Sequence, residues 1–263
     1  MDKIEICEKI KKTIRRLVLF DGDKIVGAGT GVVIKDTGEL LTANHVIRRY
    51  PTLSDPKISA YGMGDIPKTG YKPLLMNIAL NINISEYAKP LVIDLAVLGP
   101  TEKQSNLPFM ELDDNNAVEG EEVIMAGFPD EIKPPLNFNK MLNFNNPELE
   151  KQRDQIENFF KYLMQLVMMK SGMIGSTQGV KLNSNKVNIP GFPGKTIDVE
   201  GAVYWIDNAS THGASGGPVV NSFGKLIGIV CEKGTTEDPN FDVEIPSGST
   251  MALSHRLVTW FLE

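Results

Sequence analysis

The chain has 263 residues, 41% of them hydrophobic, and a formal net charge of −6, which suits one large domain or two small barrels that share a cleft. The negative charge and the lack of a Lys/Arg block interleaved with aromatic residues exclude nucleic acid as a main partner. No apolar run is long enough to span a membrane, and the charged sequence MDKIEICEKIKKTIRR contains no signal-peptide core, so we expect a cytoplasmic protein. Cys7 and Cys231 form neither a metal-binding spacing nor a disulfide framework, and no metal or cofactor is expected.

Residues 2–17 precede the first strand and are predicted to form a short amphipathic helix. Their apolar side chains recur at helical spacing and are Ile4, Cys7, Ile10, Ile14 and Leu17. We expect this apolar face to pack against the strands that follow.

A histidine follows the first pair of predicted strands. The sequence GTGVVIKDTGEL predicts a strand around Gly31, a turn at 36–38 and a strand around Leu40. His45, one of three histidines, comes next in LLTANHVI. A histidine held by packing just beyond a buried strand is a candidate general base, because its ordinary pKa of about 6.5 lets it take and return a proton near neutrality.

Residues 74–84 alternate with a period of two, which predicts one strand with one buried face. The side chains predicted to lie on that face are Leu74, Met76, Ile78, Leu80, Ile82 and Ile84. With the strands around Gly31, Leu40 and Val92, this strand would build a first antiparallel barrel.

Asp94 lies inside the otherwise apolar run LVIDLAVL. Burial of an ionised carboxylate without a partner is costly, so this position needs an explanation. A histidine N–H is one partner that would satisfy the carboxylate, and backbone amides at a strand end are another.

Ser215 stands between glycines in THGASGGPVV. A serine that attacks a carbonyl needs a base, backbone N–H groups aimed at the oxyanion, and room for substrate main chain. Gly213 can turn its N–H inward, and Gly216 and Gly217 let another backbone approach closely. A glycine-rich turn without catalytic function would give the same short motif.

The blocks TANHV, DLAVL and GASGGP, in that order, resemble the three catalytic blocks of trypsin-like (chymotrypsin-fold) serine proteases. The sequences of these blocks are most similar to the HtrA/Deg branch of that family, and the chain resembles its protease domain only, without a PDZ module. The resemblance extends over most of residues 24–253 through VIMAGFPD, MKSGMIGST, YWIDNAS and GKLIGIV. It implies an all-β fold of two antiparallel six-stranded barrels, at about 14–115 and 116–253, within a single peptidase domain spanning 1–263. It also implies a serine endopeptidase that acts on protein or peptide substrates.

The resemblance assigns roles to individual residues. Ser215 would be the nucleophile, His45 the general base, and Asp94 the group that fixes the histidine tautomer. Gly213 and Ser215 would supply the N–H groups of the oxyanion hole. Ala214 stands where digestive proteases carry the aspartate that pairs with a freed N-terminus, so the chain departs from that activation pattern and agrees with the HtrA branch, whose members are switched by loop ordering.

A substrate pocket is implied by the same resemblance. Its residues would be Ala209, His212, Ala214, Cys231, Glu232, Lys233 and those around Phe241. Ala209 occupies the position where trypsin has an aspartate, so we expect a small or medium aliphatic residue before the scissile bond.

Residues 131–170 form an insertion where an HtrA-like protease has a short loop. Asn146 and Pro147 predict a helix start, an apolar stripe continues it, and Gly172 is a plausible end. The helix would cover barrel surface or, alternatively, act as a lid or a docking site for an activating protein. A last helix at 254–262 is expected to pack against the barrel, with His255 exposed and without a role.

Two other functions fit parts of the sequence. GASGG matches the G-x-S-x-G pattern of an esterase, which would require a helix after Ser215 and a triad built from His255 with Asp238 or Asp242. The extended segment Pro218-Val219-Val220 argues against this esterase. A latent enzyme or a non-catalytic binding module on a protease fold is the other alternative.

Overall fold

The computed structural model describes residues 1–63, 66–80, 91–129, 167–184, 197–238 and 243–262. The helices and strands of this part of the chain are α1 (Lys3–Thr13), β1 (Ile14–Asp21), β2 (Lys24–Val33), β3 (Leu40–Thr42), α2 (Asn44–Ile47), β4 (Pro56–Tyr61), β5 (Thr69–Leu75), β6 (Ile78–Leu80), β7 (Leu91–Ile93), β8 (Ala96–Pro100), β9 (Glu122–Gly127), β10 (Met168–Ser184), β11 (Ile197–Ile206), β12 (Pro218–Asn221), β13 (Leu226–Asp238), β14 (Val243–Ser254) and α3 (Arg256–Thr259). Short 3-10 turns lie at Tyr50–Thr52 and Trp260–Leu262.

The strands form two closed six-stranded barrels, as the resemblance implies. The first has the order β1-β2-β3-β8-β5-β4, and the second has the order β10-β11-β14-β13-β12-β9. Neighbouring strands pair antiparallel throughout both barrels. The all-β class and the two-barrel architecture are therefore confirmed.

The N-terminal helix is shorter than the sequence predicts. A capping box joins Asp2 and Glu5 at its start, and Ile10 is fully buried on its inner face. The helix ends at Thr13, and the buried Arg15 donates from its guanidinium to the Lys12 carbonyl in the last turn and to the Ile14 carbonyl just after it. Arg15 thereby satisfies carbonyl groups at the place where the helix stops.

Two of the five side chains assigned to this helix belong to the first strand instead. Ile14 and Leu17 are fully buried residues of β1, and Ile4 is 75% exposed, so it is not part of the packed helix face. A buried strand and a helix face both contain recurrent apolar residues, which explains the wrong prediction.

The predicted strand at 74–84 is broken after Leu75. The chain leaves β5, passes through Asn77 with φ +52°, and resumes as β6, which pairs with β7 in a two-stranded sheet outside the barrels. Leu75 is buried and Leu74 is 40% exposed, the reverse of the predicted faces, and Val92 belongs to β7 rather than to the barrel. Residues 81–84 of that prediction lie outside the described residues.

The predicted insertion lies mostly outside the described residues, which resume at Val167. Its last part is wrong, because Met168 already begins β10 and Gly172 pairs with Val123 of β9 inside the barrel. Met168 and Met169 are therefore strand residues, and Gly172 does not terminate a helix.

The chain end packs as predicted, except for His255. Leu257 and Val258 are buried, but His255 is only 3% exposed, and its Nε2–H donates to the Asp113 carbonyl at 2.9 Å. The prediction of an exposed histidine was therefore wrong. None of the helices in the described ranges is long and apolar enough to cross a membrane.

The burial of His255 predicts a pH dependence of stability. Burial lowers its pKa from 6.5 to about 4, Arg256 adds to this effect, and Asp113 and Asp114 oppose it. Between these two values the unfolded chain binds more protons at this site than the folded protein, so stability falls as the pH falls from about 6.5 to about 4, by roughly 3 kcal/mol from this group. Urea unfolding of wild type and His255→Gln at several pH values should show a shallower slope in the variant, and equal slopes would contradict the assignment.

Candidate active site

His45 lies on the short helical turn that follows β3. β3 ends at Thr42, and Ala43, Val46 and Ile47 are buried around the turn, so packing fixes the backbone on both sides of the histidine. The imidazole itself is about one-third exposed. It is therefore held by its backbone and open on one side.

Asp94 joins β7 to β8 and makes two contacts with His45. Its Oδ1 accepts from the His45 backbone N–H at 2.7 Å, and its Oδ2 lies 2.8 Å from Nδ1 of the imidazole. The two partners that the sequence left as alternatives, a histidine and a backbone amide, occur together on one carboxylate. A carboxylate at Nδ1 selects the tautomer that carries its proton there, which leaves Nε2 as a proton acceptor.

Cys231 lies behind Asp94. Its Sγ donates to the Asp94 carbonyl at 3.4 Å, and the side chain is 2% exposed. Burial, aided by the nearby negative charge of Asp94, raises the pKa of this thiol well above its ordinary value. Cys231 is therefore a protonated packing residue at the back of the His45–Asp94 pair.

Two asparagines hold the turn that carries His45. Asn44 Nδ2 donates to Asn77 Oδ1 at 3.1 Å, and the Asn77 backbone N–H donates to Asn44 Oδ1 at 2.8 Å. Asn77 is one of two non-glycine residues with positive φ in the described ranges, and it lies at the break between β5 and β6. This pair of hydrogen bonds joins the residue before His45 to the residue before β6, the strand that pairs with β7, after which Asp94 follows.

The loop that carries Ser215 requires its glycines. Gly213 and Gly216 have φ values of +85° and +86°, which side chains rarely adopt. A Cβ at Gly216 would come within 2.0 Å of the Thr30 carbonyl oxygen, and one at Gly217 within 1.9 Å of the Ala126 carbonyl oxygen. The loop is therefore wedged between the two barrels.

Thr30 on β2 fastens this loop to the first barrel. Its backbone N–H donates to the Ser215 carbonyl at 2.9 Å, and its Oγ1 donates to the Gly213 carbonyl at 2.6 Å. The same Oγ1 accepts from Phe128 N–H at 3.1 Å, and the Thr30 carbonyl accepts from Thr42 Oγ1 at 2.6 Å. The fully buried Thr30 thus links the loop at 208–217, called the serine loop below, to β3, which ends three residues before His45.

The structure brings Ser215 to the same junction as His45 and Asp94. Within the described parts of the chain, no hydrogen bond joins Ser215 Oγ to the imidazole of His45. Hydrogen bonds of this kind are often long in substrate-free enzymes and tighten when substrate binds.

The six candidate substrate-binding residues differ in exposure. Ala209 and Lys233 are half-buried, His212 and Glu232 are exposed, and Ala214 and Cys231 are buried. Ala214 packs against Gly127 of β9, where a Cβ on the glycine would approach the Ala214 Cα to 2.4 Å. The residues around Phe241 lie outside the described residues.

Four residues that the sequence patterns did not identify contact residues of this site: Thr30, Asn77, Lys170 and Thr250. Lys170 on β10 donates from Nζ to the Ala209 carbonyl at 2.5 Å. Neither a motif nor a spacing singles these residues out, because each acts on a residue more than thirty positions away in the chain.

The esterase alternative does not fit this arrangement. Ser215 is followed by strand β12 rather than by a helix, and His255 is committed to the Asp113 carbonyl. The side chain of Asp238 and all of Asp242 lie outside the described residues.

Comparisons with known proteins agree with the fold. The profile of the trypsin-like peptidase domain matches residues 29–229, more than half of the chain. The Rv3671c protease from M. tuberculosis is similar in its active form (15% identity, TM-score 0.54, 98% of this chain and 82% of that chain) and in the inactive Ser343Ala mutant (16% identity, TM-score 0.55, 98% and 88%). The serine endoprotease from Yersinia pestis is similar at 17% identity and TM-score 0.56, over 100% of this chain and 65% of that chain.

At identities this low, structural similarity shows only that the fold is shared. A search of curated protein sequences found no match. The family itself is established by the profile, which extends from β2 of the first barrel into β13 of the second. The chain therefore belongs to the trypsin-like peptidase domain family and is a serine endopeptidase.

Proposed function

We propose that this enzyme hydrolyses peptide bonds through a triad of His45, Asp94 and Ser215, in the manner of HtrA-like proteases. The observation that carries the proposal is the double contact of Asp94 with His45, at 2.7 Å to its backbone and 2.8 Å to its imidazole. The glycine-flanked Ser215 is fixed at the same barrel junction by Thr30.

The reaction proceeds through an acyl-enzyme. His45 Nε2 takes the proton of Ser215 Oγ as the oxygen attacks the substrate carbonyl carbon, and Asp94 stabilises the imidazolium that forms. The imidazolium then gives its proton to the leaving amine, and the peptide bond breaks. A water molecule, deprotonated by His45, attacks the ester, and the proton returns to Ser215 as the carboxylic product leaves.

The backbone N–H groups of Gly213 and Ser215 stabilise the oxyanion of each tetrahedral intermediate in this proposal. Such donors stabilise the transition state most when they are fixed before the reaction. The positive φ of Gly213 and the hydrogen bond from Thr30 to its carbonyl support a preorganised loop.

An HtrA-like mode of control, by ordering of loops, fits the surroundings of Ala214. Ala214 is buried against Gly127 and offers no charge with which an inserted N-terminal amine could pair. Control by a protein that binds the insertion at 131–170 belongs to the same proposal, and most of those residues lie outside the described ones.

A latent enzyme is the second candidate. The observation that favours it is the lack of a hydrogen bond between Ser215 Oγ and His45 among the described residues. In that case the triad would require rearrangement, by substrate or by a partner, before it could act.

Removal of any triad member should abolish most of the turnover of an unfolded protein substrate. We expect Ser215→Ala and His45→Ala to lower kcat by about 10⁶-fold and Asp94→Asn by about 10⁴-fold, because the triad acts as a unit. Ser222→Ala removes an exposed serine of the same barrel and is the matched control. Hydrolysis that persists in Ser215→Ala at the rate of Ser222→Ala would contradict the proposed nucleophile.

The residue before the scissile bond should be small or medium-sized and aliphatic. Ala209 provides no carboxylate for an arginine or lysine side chain, and neither does any residue at 210–214. A peptide library profiled by mass spectrometry measures this preference. A profile dominated by cleavage after basic residues would contradict it.

Loss of the Asn77 side chain should slow catalysis without weakening substrate binding. Asn77→Gly keeps the positive φ accessible but removes the acceptor of the Asn44 amide, so His45 loses part of its support. We expect kcat to fall about tenfold with little change in KM, since small displacements of catalytic groups are costly.

The matched control is Asn106→Gly, which changes the other positive-φ asparagine of the described ranges. Steady-state kinetics on one peptide substrate compare the two variants. Equal kcat values for Asn77→Gly and Asn106→Gly would show that the asparagine pair does not position His45.

A further inference from the structure

The segment that leads to Ser215 is held at three consecutive residues by side chains from two strands. Thr250 Oγ1 on β14 donates to the Asn208 carbonyl at 2.6 Å and accepts from the Ser210 N–H at 2.6 Å. Between them, the Ala209 carbonyl accepts from Lys170 Nζ on β10 at 2.5 Å. Three of the four polar groups in the peptide units 208–209 and 209–210 therefore form hydrogen bonds with Thr250 or Lys170.

Lys170 is the charged member of this arrangement. Its side chain is half-buried, and in the described parts of the chain no carboxylate lies within ion-pair distance of its Nζ. A hydrogen bond from an ammonium to a carbonyl is charge-assisted and stronger than a bond between neutral groups. Among the described residues, the Ala209 carbonyl is thus the hydrogen-bond acceptor of the Lys170 ammonium.

The position of Lys170 places it beneath the serine loop. Lys170 pairs with Met125 of β9, and together with Ser210, Thr211 and Ala214 it lines one small space under the loop. The serine loop is therefore hydrogen-bonded to a cationic side chain of β10. Its carbonyl contact lies four residues before Gly213, the first proposed donor to the oxyanion.

We propose that Lys170 is a positioning residue that braces the loop at 208–214 and thereby sets the oxyanion hole, an inference that rests on the proposed catalytic role of Ser215. Without the ammonium, the peptide unit 209–210 is held, among the described residues, only at its N–H, by Thr250, and its carbonyl end can move. Such a movement shifts the path of the chain toward Gly213. Oxyanion donors stabilise the transition state more than bound substrate, so the shift lowers kcat more than it raises KM.

The first measurement is the hydrogen exchange of the loop amides, which does not depend on activity. Lys170→Met removes the ammonium and keeps an unbranched stem, and Lys181→Met changes an exposed lysine of the same strand as the control. We expect faster exchange at residues 208–214 in Lys170→Met than in Lys181→Met. Equal exchange in the two variants would overturn the proposal, whatever their activities.

The second measurement is steady-state kinetics on a peptide substrate. We expect kcat of Lys170→Met to fall by about ten- to a hundredfold, with KM changed less, because errors of about 1 Å in positioning have such effects. Lys170→Arg, which keeps a charged donor, should recover most of the loss. Thr250→Val should lower kcat in the same way from the opposite strand, which keeps the test available if Lys170→Met folds poorly.

The outcomes separate the inference from the proposed function. If wild type hydrolyses peptides in a Ser215-dependent manner and Lys170→Met retains its kcat, the proposed function stands and the brace is wrong. If wild type shows no Ser215-dependent hydrolysis but the loop exchanges faster in Lys170→Met, the brace stands and the catalytic proposal fails.

Discussion

The site depends on the attachment of the serine loop of the second barrel to Thr30 of the first. The backbone N–H of Thr30 donates to Ser215, and its backbone carbonyl accepts from Thr42. Its hydroxyl donates to the Gly213 carbonyl and accepts from the Phe128 N–H. A buried threonine with every polar group satisfied fixes its neighbours, because any displacement leaves an unpaired group in a dry environment. Ser215 and His45 come from different barrels, and Thr30 sets the position of the loop that carries Ser215 relative to the strand that precedes His45.

The close approach at this junction explains the glycine content of the loop. Gly216 and Gly217 lie against carbonyl oxygens of both barrels at distances that exclude a Cβ. The same constraint places the Ser215 carbonyl next to β2. Around this contact, Asp94 and the Asn44–Asn77 pair hold His45 from the first barrel, and Lys170 and Thr250 hold the approach to Ser215 from the second.

The sequence predicts the fold and the candidate triad because the relevant signals are local. Ser215 and Asp94 each stand out within a few residues, as a serine among glycines and as a carboxylate in an apolar run. The supporting contacts could not be predicted, since Thr30 and Lys170 act across 183 and 39 positions of the chain. Two of the wrong secondary-structure predictions have similar causes. Ile14 continues the apolar spacing of the N-terminal helix, and this spacing does not show where the helix ends and β1 begins. The positive φ of Asn77 ends β5, although the alternation of apolar residues continues past it in the sequence.

The central claim is that Ser215 is a nucleophile activated by His45. Its most direct test is reaction of the intact protein with a fluorophosphonate, followed by mass spectrometry of the whole chain and of its peptides. The account predicts one adduct on Ser215 that is absent from Ser215→Ala and slowed at least a hundredfold in His45→Ala, since general-base assistance contributes about 10²–10⁴ in rate. An adduct on another serine, or equal labelling of the His45→Ala variant, would contradict it.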